Sequence, residues 1–258
     1  MVVPTLDDYA KKYSHIEFER RDGILQVTLH SDGKDLVWGF PPHEELGYCF
    51  SDIGADPENK VIILTGSGET FIHKEELGGG TVPAGLWAEK VLYDAKRLLM
   101  NHLEIQAPMI AAVNGPATVH AELALLCDIV LAADHTVFQD APHFPSGLVP
   151  GDGVHIIWPM LLGLNRGRYF LLTGQTISAS EALELGVVNE VMPQDQLLPR
   201  AWELAHEILK RPPYTVRLTR EAVLQHVKRA MLEQLPYGLA LEGLAAVEWW
   251  PKEFGKLD

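Results

Sequence analysis

Residues 61–65 read VIILT, a run with no charged side chain. A strand with one wet face alternates apolar and polar residues, so an unbroken apolar run marks a strand covered on both sides. Residues 110–113 (IAAV) and 129–132 (IVLA) repeat the pattern. The spacing predicts helices over 42–53 and 87–104 and a shorter one over 120–127. Buried strands joined through helices require crossover connections, and hence parallel pairing. Residues 15–20 (HIEFER) and 24–29 (ILQVTL) alternate about Arg21-Asp22-Gly23, which predicts a hairpin ahead of that parallel set. The expected fold class is α/β.

Beyond about residue 155 the pattern becomes helical. In SASEALELG, Ser178 caps, Glu181 completes a capping box and Gly186 closes a helix. Residues 195–211, 213–232 and 236–250 predict three more helices, the last two separated before Pro236. The chain is thus expected to divide into a core over 1–195 and a helical region over 196–258. It shows no internal repeat, low-complexity tract or linker.

Composition narrows the function. The 258 residues carry 21 Lys+Arg against 35 Asp+Glu, a net charge of −14, which opposes binding to nucleic acid or an anionic membrane. Cys49 and Cys127 form no CxxC, so neither a disulfide framework nor structural zinc is expected. The N-terminal segment lacks a signal pattern, and no apolar run reaches the roughly 20 residues of a spanning helix, which predicts a cytoplasmic protein. There is no GxxxxGK[ST], GxSxG or HExxH, and the HxE at His120-Ala121-Glu122 lacks the PCxxC of zinc deaminases. Neither a metal nor an organic cofactor is expected.

The informative stretch is residues 111–153. Asn114-Gly115-Pro116 ends a strand and His120 follows, where crevices open in α/β proteins. His143 and Asp152 lie in a segment with three prolines and three glycines between Pro142 and Gly153, a stiff loop able to hold an imidazole against a carboxylate. A carboxylate on one ring nitrogen fixes the tautomer and leaves the other nitrogen to take a proton from water. The same residues also suit a turn cap and a surface histidine. Glu242 falls within the apolar stripe of Leu232, Leu235, Leu239, Ala246 and Trp249, which predicts a raised pKa, and serves equally well in a buried ion pair. Trp38 brings one indole donor or a core ring, and His43 and His73 are further pocket candidates.

These residues sit among VIILTGSGETF, AAVNGPA…AELALLCDIVLAAD, Pro150-Gly151-Asp152-Gly153 and LLTGQTISASEALELGVVNEV, which in order resemble the crotonase superfamily over most of the chain. The resemblance implies a spiral of ββα units, a helical C-terminal trimerisation region, and a homotrimer or dimer of trimers. Where CoA-using members have F-x-A-G-x-D, this chain has Phe71-Ile72-His73-Lys74-Glu75-Glu76, and their glycine run before C-E-L-A is replaced by Thr118-Val119-His120-Ala121. One hydratase glutamate has a counterpart in Glu122; the second is replaced around His143. The replacements, with SDGKDLVWG and FQDAPHFPSGLVPGDGVH, resemble the β-diketone hydrolases of that superfamily, the 6-oxocamphor hydrolase group, which cleave carbon–carbon bonds without CoA. That likeness implies His143 and Asp152 as a water-activating dyad, with His120, Glu242, Trp38 and His43 contacting a β-diketone or its intermediates. The rival expectations are a CoA-thioester hydratase, isomerase or hydrolase, and a catalytically silent trimeric scaffold.

Overall fold

The computed structural model describes residues 3–77 and 82–250. In chain order it runs α1 (Leu6–Tyr9), β1 (Ile16–Arg21), β2 (Ile24–Leu29), β3 (Val37–Trp38), α2 (Phe40–Ala55), β4 (Val61–Gly66) and β5 (Lys74–Glu75). Next come α3 (Ala84–Leu86), a π-helical turn (Trp87–Val91), α4 (Leu92–Glu104), β6 (Met109–Val113), α5 (Glu122–Leu125), β7 (Ile129–Ala133) and β8 (Val137–Phe138). A 3-10 turn (Phe144–Ser146) leads to α6 (Val154–Leu162), α7 (Leu164–Thr173), β9 (Ile177–Ser178), α8 (Ala179–Glu184), β10 (Glu190–Met192), α9 (Gln194–Leu209) and α10 (Pro213–Glu248).

The hairpin forms as expected, β1 antiparallel to β2, and every later pair in the main sheet is parallel, in the order β1-β2-β4-β6-β7-β10. The VIILT run is buried throughout because its two faces serve two apolar layers. Ile62 and Leu64 join the larger cluster with residues of α2, α4 and α10, while Val61 and Ile63 meet Leu197, Ala201 and Ala205 of α9. Each such fully buried side chain contributes about 2 kcal/mol. The expected boundary at 195 falls in the first turn of α9, which covers one face of the sheet while α10 joins the apolar cluster on the other. Residues 1–2 and 251–258 of the two expected regions lie outside the described residues.

A second, broken sheet positions several of the candidate residues. The β3–β5 pair and the β8–β9 pair are linked by single bridges, Ile72 to Ala117 and Ala117 to Phe138. Trp38, the segment leading to His120, and the chain entering His143 therefore hang from one scaffold.

Three helix expectations change. The helix expected over 120–127 shortens to four residues. The helices α6 and α7 occupy a stretch the sequence left unassigned, where Pro159 and Gly163 interrupt the periodicity. The two helices expected on either side of Pro236 are one 36-residue helix. An interior proline removes the bond to the carbonyl four residues back and costs about 3 kcal/mol. Here that carbonyl belongs to exposed Leu232, and burial of Leu235, Leu239 and Glu242 holds the following turns in line. Leu232 and Trp249 are exposed and so fall off the predicted stripe. Cys49 and Cys127 are free buried thiols, and no helix among the described residues is long and apolar enough to cross a membrane.

Candidate active site

Trp38, buried on β3, anchors an aromatic group at one end of a cleft. Its ring lies 4.1 Å from that of His120 and 5.6 Å from that of His43, which α2 supplies from its first turn. His120 takes φ +46°, a left-handed conformation that few residues other than glycine adopt. Such strain, about 1–3 kcal/mol, persists where the surroundings enforce it. Here the enforcing contacts are on the ring: Nδ1 lies 2.6 Å from Glu122 Oε1 and 3.4 Å from Asp152 Oδ2. With Nδ1 so engaged, Nε2 is the atom left for a ligand.

His143 stands at the other end, just before the 3-10 turn and almost fully buried. Its Nδ1 is 2.6 Å from Asp140 Oδ1; its Nε2 is 3.5 Å from Asp152 Oδ1 and 3.6 Å from Glu242 Oε1. The sequence reading gave the orienting task to Asp152, and the structure corrects it. Asp140 makes the hydrogen bond that fixes the ring, and its own segment is held by the Ala141 N–H, which donates to the Thr118 carbonyl. Asp152 instead spans the two imidazoles, one oxygen toward each. Glu242 reaches the site because α10 presses close to the Pro150–Gly153 loop: a Cβ at Gly238 would strike His155 and the carbonyl of Gly151.

Electrostatics give each group a distinct state. Burial opposes charge on His143, but Asp140, Asp152 and Glu242 outweigh it and hold the imidazole well above its ordinary pKa. His120 is raised to about 9, since Glu122 and Asp152 overcome the cost of burial. Burial lowers His43 to about 3, aided by the charge of His120, and keeps it neutral. Burial also works against ionisation of Asp152, but His143 and His120 reverse this and keep its carboxyl below the usual range. Glu242 and Glu75 are pushed up to about 7 by burial, against the pull of the histidines. A neutral His143 poised near pH 7, as expected from sequence, is therefore not its resting state. With His143 Nε2 3.6 Å from Glu242 Oε1, the two groups form a couple able to share a proton.

Trp38, His43, His120, His143, Asp152 and Glu242 all line one cleft. His73 does not; it is exposed and meets Thr118 Oγ1 at 2.8 Å. The sequence reading missed Asp140 and Glu75. An acid three residues before a histidine in DAPH was the available signal for Asp140. Glu75 lies in a two-residue strand, too short for any periodicity to show. The remaining walls are largely apolar, with Phe40, Leu77, Trp87, Leu148, Leu239 and Trp250, and the described lining contains neither Lys nor Arg. His120, Glu122 and Asp152 offer donor atoms within 4.8 Å of one another, a set that could also hold a divalent cation. The 2.6 Å contact of His120 with Glu122 has the length of a charge-assisted hydrogen bond.

Comparison with known proteins places this geometry. Residues 19–242 match the family model for enoyl-CoA hydratase/isomerase. A short-chain-enoyl-CoA hydratase of Clostridium acetobutylicum is 30% identical over 93% of this chain and 91% of its own, and a carnitinyl-CoA dehydratase of Citrobacter koseri is 33% identical over 84% and 81%. Among solved structures, a β-diketone hydrolase from the cyanobacterium Anabaena sp. PCC 7120, bound to (S)-3-oxocyclohexyl acetic acid, is 45% identical with TM-score 0.91, covering 93% of this chain and 97% of that one. An enoyl-CoA hydratase/isomerase from Mycobacterium paratuberculosis is 28% identical with TM-score 0.81, covering 91% and 94%. With its parallel sheet, its second broken sheet and its long C-terminal helix, the chain has the crotonase fold and belongs to the enoyl-CoA hydratase/isomerase family.

Proposed function

We propose that the protein is a hydrolase that cleaves a carbon–carbon bond of non-activated cyclic or bicyclic β-diketones by a retro-Claisen reaction, without CoA. The observation that carries this reading is the span of Asp152. Its two oxygens lie 3.4 Å from His120 Nδ1 and 3.5 Å from His143 Nε2, so one carboxylate ties together two acid–base groups facing an otherwise apolar cleft. Two carbonyls on a hydrocarbon frame match that arrangement. The likeness to the Anabaena β-diketone hydrolase supports it.

In the proposed reaction, water enters beside His143 Nε2. The couple of His143 and Glu242 holds one proton, and in the tautomer with that proton on Glu242 the imidazole takes a second from water. Hydroxide adds to the nearer carbonyl carbon and forms a tetrahedral oxyanion. Collapse breaks the bond to the carbon between the carbonyls, whose electron pair becomes an enolate on the second carbonyl. His120, an imidazolium at neutral pH, donates from Nε2 toward that developing charge, packed against Trp38. Removing such a donor costs about 3 kcal/mol of transition-state stabilisation. The couple returns its extra proton to the enolate carbon, giving a keto acid and restoring the enzyme.

The names of the curated relatives favour a second reading, hydration of a CoA thioester. Against it stand the described lining, which has no Lys or Arg to meet phosphates, and Glu122, which is fully buried and spent on His120. The experiment is incubation with a panel of monocyclic and bicyclic β-diketones in oxygen-labelled water, with crotonyl-CoA and acetoacetyl-CoA in parallel. Loss of diketone with one label in the new carboxylate is the expected result. Turnover of a thioester with no diketone consumed overturns the proposal. Activity unchanged by His143→Ala removes the base.

A further inference from the structure

Two acidic groups of the cleft are not used by the mechanism above: Asp94, which pairs with Arg97 at 2.6 Å, and Glu75. Glu75 pairs directly with Trp38 in the β3–β5 register, and the pair is fixed by a 2.8 Å bond from the Glu76 N–H to the Trp38 carbonyl. Side chains paired in register on adjacent parallel strands share a face, so Glu75 stands beside the Trp38 indole and lines the same cleft. The residue is part-exposed as a whole, but its Oε2 is shut off from solvent and has no hydrogen-bond partner. A buried polar atom without a partner is uncommon and calls for a specific reason. A ligand oxygen arriving in the cleft would supply one, provided the carboxyl holds its proton, because a carbonyl can only accept.

We propose that Glu75 is a catalytic residue that, as a neutral carboxylic acid, donates a hydrogen bond to the second carbonyl oxygen of the bound diketone and holds it more tightly as the enolate forms. This rests on the β-diketone reading. No proton is transferred: the hydrogen stays on Glu75 while the accepting oxygen gains charge. The groups facing Glu75 are His120 and His143, which favour its ionisation, and Asp152 and Glu242, which oppose it; His43 and Asp94 line the same cleft. Burial decides the balance and raises its pKa to about 7, so a large share of Glu75 is protonated at neutral pH. Above that value the carboxylate can only accept and repels the developing enolate.

The test measures kcat and KM on the diketone panel as a function of pH for the parent, Glu75→Ala and Glu75→Gln. The parent kcat is expected to fall as pH rises through about 7. Glu75→Ala should lose about 10²–10³-fold in kcat, with a much smaller change in KM and an unchanged melting curve. Glu75→Gln keeps a donor N–H at every pH, so it should keep most of the rate and lose the alkaline fall. An alanine variant with parental kcat and pH profile overturns the inference, as does a glutamine variant no better than alanine. A parent that consumes no diketone shows that the β-diketone reading itself has failed, whereas an active parent indifferent to Glu75→Ala removes Glu75 alone.

Discussion

Asp140 and Asp152 divide between them the work that one carboxylate was expected to do. Asp140 binds Nδ1 of His143 and sets the ring, while Asp152 faces the reacting nitrogen. Replacing Asp140 with Asn removes the foremost of three charges that raise the imidazole and leaves an amide able to present the wrong atom. Asp140→Asn should therefore lower the His143 pKa and reduce kcat by about 10²-fold or more, as read by histidine NMR titration and steady-state kinetics. A change of less than about threefold would deny Asp140 its orienting role. The acid limb of the rate belongs to the couple with Glu242. As pH falls through about 7, Glu242 takes up a proton and the couple fills, leaving no site for the proton of water. Activity on the diketone should decline below that value, and Glu242→Gln should alter or abolish the decline in kcat/KM. The candidate residues of the Pro/Gly-rich loop were legible because proline and glycine announce a rigid turn. Asp140 was passed over because the DAPH spacing does not say which of two nearby carboxylates takes Nδ1 of the ring.

The elements show where sequence patterning succeeds and where it stops. The parallel strands were legible because VIILT, IAAV and IVLA each serve two apolar layers, which leaves no polar alternation. The capping box at Ser178 and Glu181 forms as written, with Ser178 Oγ accepting from the Glu181 N–H. Pro236 misled the reading because a proline is a local signal, while the continuity of α10 comes from packing on both sides of it. That packing includes a direct tie to the cleft wall: the Trp87 indole N–H in the π-helical turn donates to the Leu239 carbonyl at 3.0 Å. Gly243 makes room for the ring, since a Cβ there would strike the indole. Gly243→Ala should push α10 away from Trp87 and cost about 1–3 kcal/mol in urea unfolding. It should also raise KM, because Trp87 and Glu242 line the same cleft. An alanine variant with parental stability and KM would show that the contact relaxes freely.

For the whole molecule, the outer side of α10 is a surface rich in exposed apolar side chains. Tyr214, Leu218, Leu232, Tyr237, Leu244 and Val247 are all exposed along it, more apolar side chains than a solvated helix face usually carries. We expect the chain to assemble as a homotrimer or a dimer of trimers through this helical region. Light scattering should return three or six times the 28.6 kDa chain mass, and a monomer at micromolar concentration would refute the assembly. Because α10 runs unbroken through Pro236, it is a single rod with an exposed apolar face on its outside and a cleft-lining glutamate on its inside. In the expected assembly, a subunit seated against the outer face would also set how far Glu242 reaches toward His143. Quaternary contacts and acid–base timing would then share one lever, and dilution that loosens the first would detune the second.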